Sequence, residues 1–167
     1  MKASTLRFVP VGLYPVELHR QVMERERFDL VIETMLREGV VKSKARALDL
    51  ISALVQWLCV GTAALTHNNF VMLRGPVDDT FHTLIIHTRF YASFCDRYFG
   101  RFVHHDPFTK QLAEEAVKNG AIDNTLRLLQ DGFGKDLHPE LRKWVALVRS
   151  GRFVVTMVSC PGNDLEG

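Results

Sequence analysis

Most of the side chains in this sequence that could do chemistry lie in one segment, from Pro76 to Pro107. This segment, PVDDTFHTLIIHTRFYASFCDRYFGRFVHHDP, contains four of the seven histidines, one of the three cysteines and four aspartates. Imidazole, thiolate and carboxylate groups are the usual ligands of zinc and iron, and they also act as acids, bases and nucleophiles. We therefore expect a functional site, if the protein has one, in this segment.

A single helix from Asp78 or Asp79 to Gly100 would divide these residues into two groups. Aspartate is a good helix N-cap and glycine a common helix end, which is the basis for these limits. At 100° per residue, both aspartates and His82 share one side of the first turn, where a carboxylate can hold the imidazole in one tautomer. Cys95 lies about 20 Å further along the axis, at about 1.5 Å per residue. His82 and Cys95 therefore cannot share a metal ion on a straight helix.

The second group lies near the end of the predicted helix and comprises Tyr91, Cys95, His104, His105 and Asp106, with His87 one turn before Tyr91. After Gly100 the chain should return in an extended form, and four or five extended residues span only about 13–17 Å. That reach brings the paired histidines beside Tyr91 or Cys95 but not to His82. For the first group, a role in holding the helix start in place is the favoured interpretation.

Three kinds of chemistry remain open for the second group. Cys95, His104 and His105, with His87 as a further candidate ligand, could bind zinc or iron, because thiolate and imidazole suit both metals. A histidine could instead take the thiol proton of Cys95 in a cysteine–histidine enzyme. The third alternative is a buried polar network that satisfies backbone carbonyls and binds nothing. No C-x-x-C or H-E-x-x-H motif decides between them.

Proline, glycine and capping signals predict six helices and three short strands. The helices run from Pro15 to about Arg37, from Ser43 through the apolar stretch Leu50–Thr66, from Asp78 or Asp79 to Gly100, from Asp106-Pro107 to Asn119-Gly120, from Asp123 to about Gly132, and from Pro139 to Gly151. The strands are Phe70–Leu73, Arg152–Val158 and Thr5–Val9, the last of which could instead be an extended arm on the core, and His67-Asn68-Asn69 is a turn. The predicted fold class is mainly α, a compact single-domain bundle of about five or six helices with a small sheet from the terminal strands.

Composition limits the class of protein. A chain of 167 residues with 47% hydrophobic and 24% charged residues fits one globular domain, predicted for residues 1–158 with a disordered tail at 159–167. A net charge of +2 with dispersed Lys and Arg argues against nucleic-acid binding. Leu50–Thr66 has no charged residue, yet it is shorter than the roughly 20 residues of a membrane span. We interpret it as a buried core helix, with Cys59 on its apolar face, and expect no membrane association.

Cysteine usage indicates the cellular compartment. The three cysteines are an odd number, and Met1–Tyr14 has no basic start, apolar run and cleavage site of an export signal. Free thiols are typical of reducing compartments. We therefore predict reduced cysteines and a cytoplasmic location.

The segment VDDTFHTLIIHTRFYASFCDRYFGRFVHHDP resembles the repeated motif of the glycine-rich-domain-containing proteins and of small bacterial proteins that carry that label. That motif has Val-Asp followed by Trp-His, then Tyr and Cys on the same helix, then Gly, and finally a His-containing segment ending in Asp or Pro. The corresponding positions here are Asp78 or Asp79, His82, Tyr91, Cys95, Gly100, His104 and His105. Phe81 stands in place of the motif's Trp, and Leu84 stands where many members have a second histidine.

Together with the preceding apolar helix, the resemblance covers about residues 47–108. It implies a helical domain and no defined biochemical role. The leading functional expectation is an accessory or binding module for a protein or peptide partner, beside an enzyme that modifies peptides or metabolites. The alternatives are a metalloprotein with a site at Cys95 and His104 or His105, and a cysteine–histidine enzyme with Cys95 as its nucleophile. The sequence does not decide whether the protein is an enzyme.

Overall fold

The computed structural model describes residues 14–63, 70–107 and 109–158. Within these ranges the chain forms a compact helical domain of eight α-helices, one short 3-10 helix and three short strands. In chain order the elements are α1 (Pro15–Arg25), α2 (Asp29–Arg37), α3 (Lys44–Ala63), β1 (Val71–Leu73), α4 (Pro76–Ile86), α5 (Thr88–Phe99), β2 (Asp106–Pro107), α6 (Lys110–Lys118), α7 (Ala121–Phe133), the 3-10 helix (Gly134–Asp136), α8 (Pro139–Arg149) and β3 (Val155–Val158).

Helix α3 is the centre of the core, and α1, α2, α4, α7 and α8 all pack against it. Its buried side chains recur at helical spacing: Ala47, Leu50, Ile51, Leu54, Val55, Trp57, Leu58 and Cys59. Lys44–Thr62 is long and apolar enough to cross a membrane by length and composition, but 67% of its most apolar stretch is buried inside the protein. The prediction of a buried core helix is confirmed.

Local sequence signals set most of the helix starts. The hydroxyl of Ser43 accepts a hydrogen bond from the Arg46 amide at 3.1 Å and begins α3. Pro15, Pro76 and Pro139 each occupy the first turn of a helix, where the missing amide costs nothing. Helix α4 therefore begins at Pro76, and the expected capping by Asp78 or Asp79 is wrong. Asp78 lies instead inside the first turn and is buried.

The prediction that Asp106-Pro107 starts a helix is also wrong. These two residues form β2 and pair with Val158 and Met157 of β3. The following helix is capped instead by Thr109, whose hydroxyl accepts from the Leu112 amide at 3.3 Å. A proline can open a helix or end a ladder at a sheet edge, so the local signal is ambiguous. Pairing with a distant strand decided the outcome.

The predicted first helix is split into α1 and α2 at Glu26–Phe28. Phe28 leaves the helix and is buried against α5, with ring centroids 5.8 Å from Phe90 and 5.9 Å from Phe94. No glycine or proline marks this break in the sequence. The break is stabilised by aromatic packing against a helix that lies more than 60 residues away in the chain.

The predicted helix through the site segment is likewise split, at His87. This residue ends α4 and precedes α5 with a non-helical backbone, φ −80° and ψ 60°. Its ring lies 3.1 Å from the hydroxyl of Thr34 in α2 (Nε2 to Oγ1). The neighbouring Ile85, Ile86 and Thr88 are β-branched and weaken helix propensity at this point. The two splits account for eight helices where six were predicted.

The three strands form one small antiparallel sheet in the order β1-β3-β2. The prediction of a strand within Arg152–Val158 is confirmed. This strand is β3, and it is the central strand of the sheet. The two strands that pair with β3 come from the middle of the chain. Val71 of β1 lies opposite Val158, and Asp106 of β2 lies opposite the same residue on the other side. The expected terminal partner Thr5–Val9, the turn at His67-Asn68-Asn69 and the tail at 159–167 lie outside the described residues.

Substitution of Gly61 in α3 by alanine is expected to destabilise the protein. A Cβ atom at this position would lie 2.8 Å from Cε1 of Phe70, whose ring packs against Trp57 with centroids 4.9 Å apart. Overpacking of this kind costs about 1–3 kcal/mol, which outweighs the gain of about 1 kcal/mol in helix propensity. Urea unfolding of the Gly61→Ala and Gly61→Val variants should show a loss that increases with side-chain volume. A stability gain in the alanine variant would contradict the expectation.

Candidate metal centre

Three potential metal ligands meet at the start of α4: Asp78, His82 and His105. His105 Nε2 lies 3.6 Å from Oδ1 of Asp78, and His82 Nδ1 lies 3.9 Å from Oδ2 of the same carboxylate. The two imidazole rings are 4.4 Å apart between centroids. One donor atom from each residue lies within 4.8 Å of the others. It is the one such group of three found among the residues that the structure describes.

Each ligand is held by a different part of the fold. Asp78 and His82 are four residues apart on α4 and so project from one face of the helix. His105 belongs to the extended return that leads into β2, and its ring packs against Phe81 with centroids 5.1 Å apart. The Thr156 hydroxyl of β3 donates a hydrogen bond of 2.9 Å to Oδ1 of Asp78 and fixes the carboxylate. The cluster therefore depends on a helix, a return segment and the sheet.

The imidazoles are not satisfied by hydrogen bonds to Asp78. The two nitrogen–oxygen distances, 3.6 and 3.9 Å, exceed the range of about 2.7–3.2 Å for such bonds. The His105 side chain is 6% exposed, and its Nε2 is buried without a hydrogen-bond partner. The Asp78 side chain is 3% exposed, whereas that of His82 is 51% exposed. A buried carboxylate and a buried unpaired nitrogen, both costly, thus face each other across a gap.

The gap is somewhat wider than that of a filled metal site. Ligand–metal bonds of about 2.0–2.1 Å at tetrahedral angles place ligand atoms about 3.3 Å apart, and octahedral angles place them about 3.0 Å apart. The observed 3.6 and 3.9 Å separations run to different oxygens of Asp78, and one donor atom from each residue lies within 4.8 Å of the others. The three side chains would therefore have to close by up to about 1.8 Å around an ion. Two histidines and one carboxylate form a known ligand set for zinc and for non-haem iron(II), with positions left open for water or a ligand.

The open side of the cluster faces a cavity of about 580 Å³ between the start of α4, the start of α6 and β3. The residues lining it are Arg74, Asp78, Asp79, His82, His105, Pro107, Thr109, Lys110, Ala113, Val154, Val155 and Thr156. A volume of this size is typical of small-molecule sites. The cluster is therefore reachable from solvent, although two of its three side chains are buried.

The expectation that the paired histidines cannot reach His82 is wrong. It assumed one straight helix from residue 78 to residue 99, whereas the break at His87 changes the direction of the chain between α4 and α5. The return segment does pass Tyr91, as expected, but Val103 is the residue that meets it there. Two residues later, His105 reaches the start of α4. His105 thus belongs with the first predicted group, Asp78 and His82, and not with the second.

Tyr91 and Cys95 lie on the inner face of α5, in the core. The Tyr91 hydroxyl donates a buried hydrogen bond of 2.6 Å to the Val103 carbonyl. Burial raises the pKa of the Cys95 thiol, and the interactions of this thiol with the Val103 backbone and the Tyr91 side chain only partly oppose this. Burial also raises the pKa of Tyr91. These features fit the buried polar network that was one of three alternatives for this group.

The remaining predicted site residues lie apart from the cluster. His87 contacts Thr34 of α2 at the helix break, and the His104 ring packs on Phe102 with centroids 4.7 Å apart. Asp79 is exposed and lines the cavity next to Asp78. The side chain of Asp106 lies outside the described part of the chain, although its backbone pairs in β2. Cys95, His104, His105 and His87 do not form a shared ligand group within the described residues.

Sequence reasoning missed three residues around the cluster: Arg74, Lys110 and Thr156. Arg74 follows β1, Lys110 begins α6, and Thr156 lies in β3. None of them belongs to a motif or has a spacing that would place it beside the ligands, so no linear signal could have found them. Thr156 is 78 residues from the carboxylate that it contacts.

Both described cysteines are expected to resist alkylation in the folded protein. Cys59 and Cys95 are fully buried, and burial raises the pKa of both thiols. Because only the accessible thiolate reacts, labelling by iodoacetamide at pH 7.5 in a Cys160→Ser variant should be at least about 100-fold slower than in urea. Mass spectrometry resolves the two sites. Rapid labelling of Cys95 alone would instead support the cysteine–histidine enzyme.

The fold and the cluster define a small helical protein with a two-histidine, one-carboxylate group at the mouth of a cavity. The chain belongs to the UCP032817-like family, whose model matches residues 19–131 and so includes Asp78, His82 and His105. No curated protein and no solved structure matches the chain. The resemblance to the glycine-rich-domain-containing proteins, the accessory role with a protein or peptide partner, and the cytoplasmic location stay predictions.

Proposed function

We propose that the protein binds one divalent transition metal ion, zinc or iron(II), through Asp78, His82 and His105. The observation that carries this proposal is the buried, unpartnered Nε2 of His105, which faces the buried Asp78 carboxylate at 3.6 Å. A cation between them would give His105 Nε2 a partner and would balance the charge of the buried carboxylate, whose Oδ1 already accepts a hydrogen bond from Thr156. The half-exposed His82 completes a set that leaves coordination positions open towards the cavity.

A purely structural role for the cluster is the competing explanation. In that case a protonated His82 or His105 would pair with Asp78, as His138 pairs with Asp49. His138 shows what such a pair looks like, with Nε2 only 3.0 Å from Oδ1 of Asp49. The longer distances at Asp78 and the lack of a hydrogen-bond partner at His105 favour a ligand set over an ion pair.

The proposal is tested by elemental analysis of protein made without a histidine tag, followed by equilibrium dialysis against zinc and, under nitrogen, against iron(II). We expect about one equivalent of one metal in the wild-type protein, since such sites bind tightly when their ligands are deprotonated. His82→Ala removes one half-exposed ligand with little risk to folding and should abolish retention of the metal.

The matched control is His104→Ala, which removes the histidine next to His105 in the sequence but outside the cluster. It should retain the metal. The same pair of variants separates the two candidate ligand sets, because a site built on Cys95, His104 and His105 would lose its metal in His104→Ala and keep it in His82→Ala. Wild-type protein with less than about a tenth of an equivalent of any transition metal would refute both sets.

A further inference from the structure

The cavity beside the metal ligands continues into a second, apolar cavity between α6 and β3. The second cavity has a volume of about 390 Å³. The two share four lining residues: Lys110, Ala113, Val154 and Val155. They are therefore two parts of one cleft, with the proposed metal site at the polar part.

The apolar part exposes hydrophobic side chains to solvent. Val117 of α6 and Val154 beside β3 are each 46% exposed, and Phe153 also lines this part of the cleft. Isolated exposed valines are ordinary, but apolar side chains that line a concave surface next to polar groups are typical of a ligand site. Glu114 and Lys118 also line this part, but their charges are opposite and most of the lining surface is apolar, so it suits an aliphatic chain.

Two positively charged side chains lie at the polar part of the cleft. Arg74 and Lys110 line it on the side of α4 and α6, and among the described residues neither forms an ion pair with a carboxylate. A bound divalent metal would add positive charge at the same place. Asp79 also lines this part and would repel a multiply charged anion. The charges therefore favour a ligand with a single negative charge.

We propose that the cleft binds a monocarboxylate with an aliphatic tail. The carboxylate lies beside Arg74 and an open coordination position of the metal, and the tail lies between α6 and β3 against Val154 and Val117. This inference rests on the proposed metal site, which supplies part of the charge that recognises the carboxylate. To that proposal it adds the class of ligand, a monocarboxylate, that the site would bind.

The test is isothermal titration calorimetry of zinc-loaded protein with acetate, butanoate, hexanoate and octanoate, and with octanol. Affinity should increase about two- to fourfold for each methylene, because each one buries apolar surface. Octanol should bind at least about tenfold more weakly than octanoate, because it lacks the charge that pairs with arginine and metal. Affinity that does not depend on chain length, or octanol that binds as well as octanoate, would overturn the inference.

Variants of cleft residues test whether octanoate binds at the proposed position. Val154→Ser and Arg74→Gln should each lower octanoate affinity about tenfold, through the tail and the carboxylate respectively. Leu30→Ser is the matched control, since Leu30 is 63% exposed on α2 and does not line the cleft, and it should leave the affinity unchanged. Zinc content is measured in every sample. Zinc-loaded protein that does not bind octanoate overturns this inference alone, whereas protein that does not retain zinc overturns the proposed function and this inference with it.

Discussion

Asp78→Asn is expected to lower zinc affinity by more than about 100-fold, because loss of an outer-shell partner alone costs about 10–100-fold and this change removes the charged ligand itself. The substitution keeps the shape of the side chain. The Thr156 hydroxyl can still donate to Oδ1, so its 2.9 Å hydrogen bond should survive. Folding stability should fall by no more than about 2 kcal/mol, the range for one imperfectly paired buried polar group.

Affinity is measured by competition with a chromophoric chelator, and folding is checked by circular dichroism and urea unfolding. Asp79→Asn is the matched control, since this neighbouring carboxylate lines the same cavity but is exposed and lies outside the ligand group. Its zinc affinity should stay within about threefold of wild type, as expected for an exposed charge screened by solvent. Equal losses in both variants would mean that the cavity attracts metal only through its overall charge.

Trp57→Ala is expected to lower the free energy of unfolding by about 3–5 kcal/mol, the usual cost of removing a buried aromatic ring. Trp57 is fully buried on α3, and its ring lies 4.9 Å from that of Phe70 and 5.8 Å from that of Phe81. Its indole also donates a hydrogen bond of 3.0 Å to the Val71 carbonyl of β1. The substitution therefore removes core volume and an anchor of the sheet together.

The melting temperature should fall by about 10 °C, at about 2–4 °C per kcal/mol for a protein of this size. Trp57→Phe should lie between the alanine variant and wild type, because it keeps most of the ring and loses the hydrogen bond to Val71. Leu48→Ala on the exposed side of the same helix is the control, with an expected loss of about 0.5 kcal/mol. A loss below 1 kcal/mol in Trp57→Ala would show that α3 is not the centre of the core.

Trp57 also connects core stability to the candidate site. Its neighbour Phe81 packs against the ring of His105, with centroids 5.1 Å apart. Ligands whose positions are fixed by packing hold a metal better than mobile ones. The loss of Trp57 should therefore weaken metal binding as well as folding.

Much of the fold follows from signals within a few residues of one another. The apolar spacing in α3, the Ser43 cap, the prolines that open α1 and α8 and the glycines after α5 and α6 act over one or two helical turns. Such signals need no information from the rest of the chain. They predicted a mainly helical domain and the places where most helices begin or end.

The helix breaks and the sheet required information from distant residues. Phe28 leaves its helix because of aromatic side chains on α5, and β2 forms at Asp106-Pro107 because β3 pairs with it from about 50 residues away. No motif near either position specifies these partners. The helix break and the strand are both stabilised by burial and strand pairing, and these interactions exist only in the folded protein.

The sequence by itself determined that the densest group of potential ligands lies between Pro76 and Pro107, since these residue types are present nowhere else at that density. It also placed Asp78 and His82 on one face of a helix, because a spacing of four residues does so in any α-helix. The distance along the helix already separated Cys95 from His82, but only the tertiary structure decided that His105 joins Asp78 and His82. The reason is the break at His87, together with the sheet that brings Thr156 to Asp78 and positions the return segment beside α4.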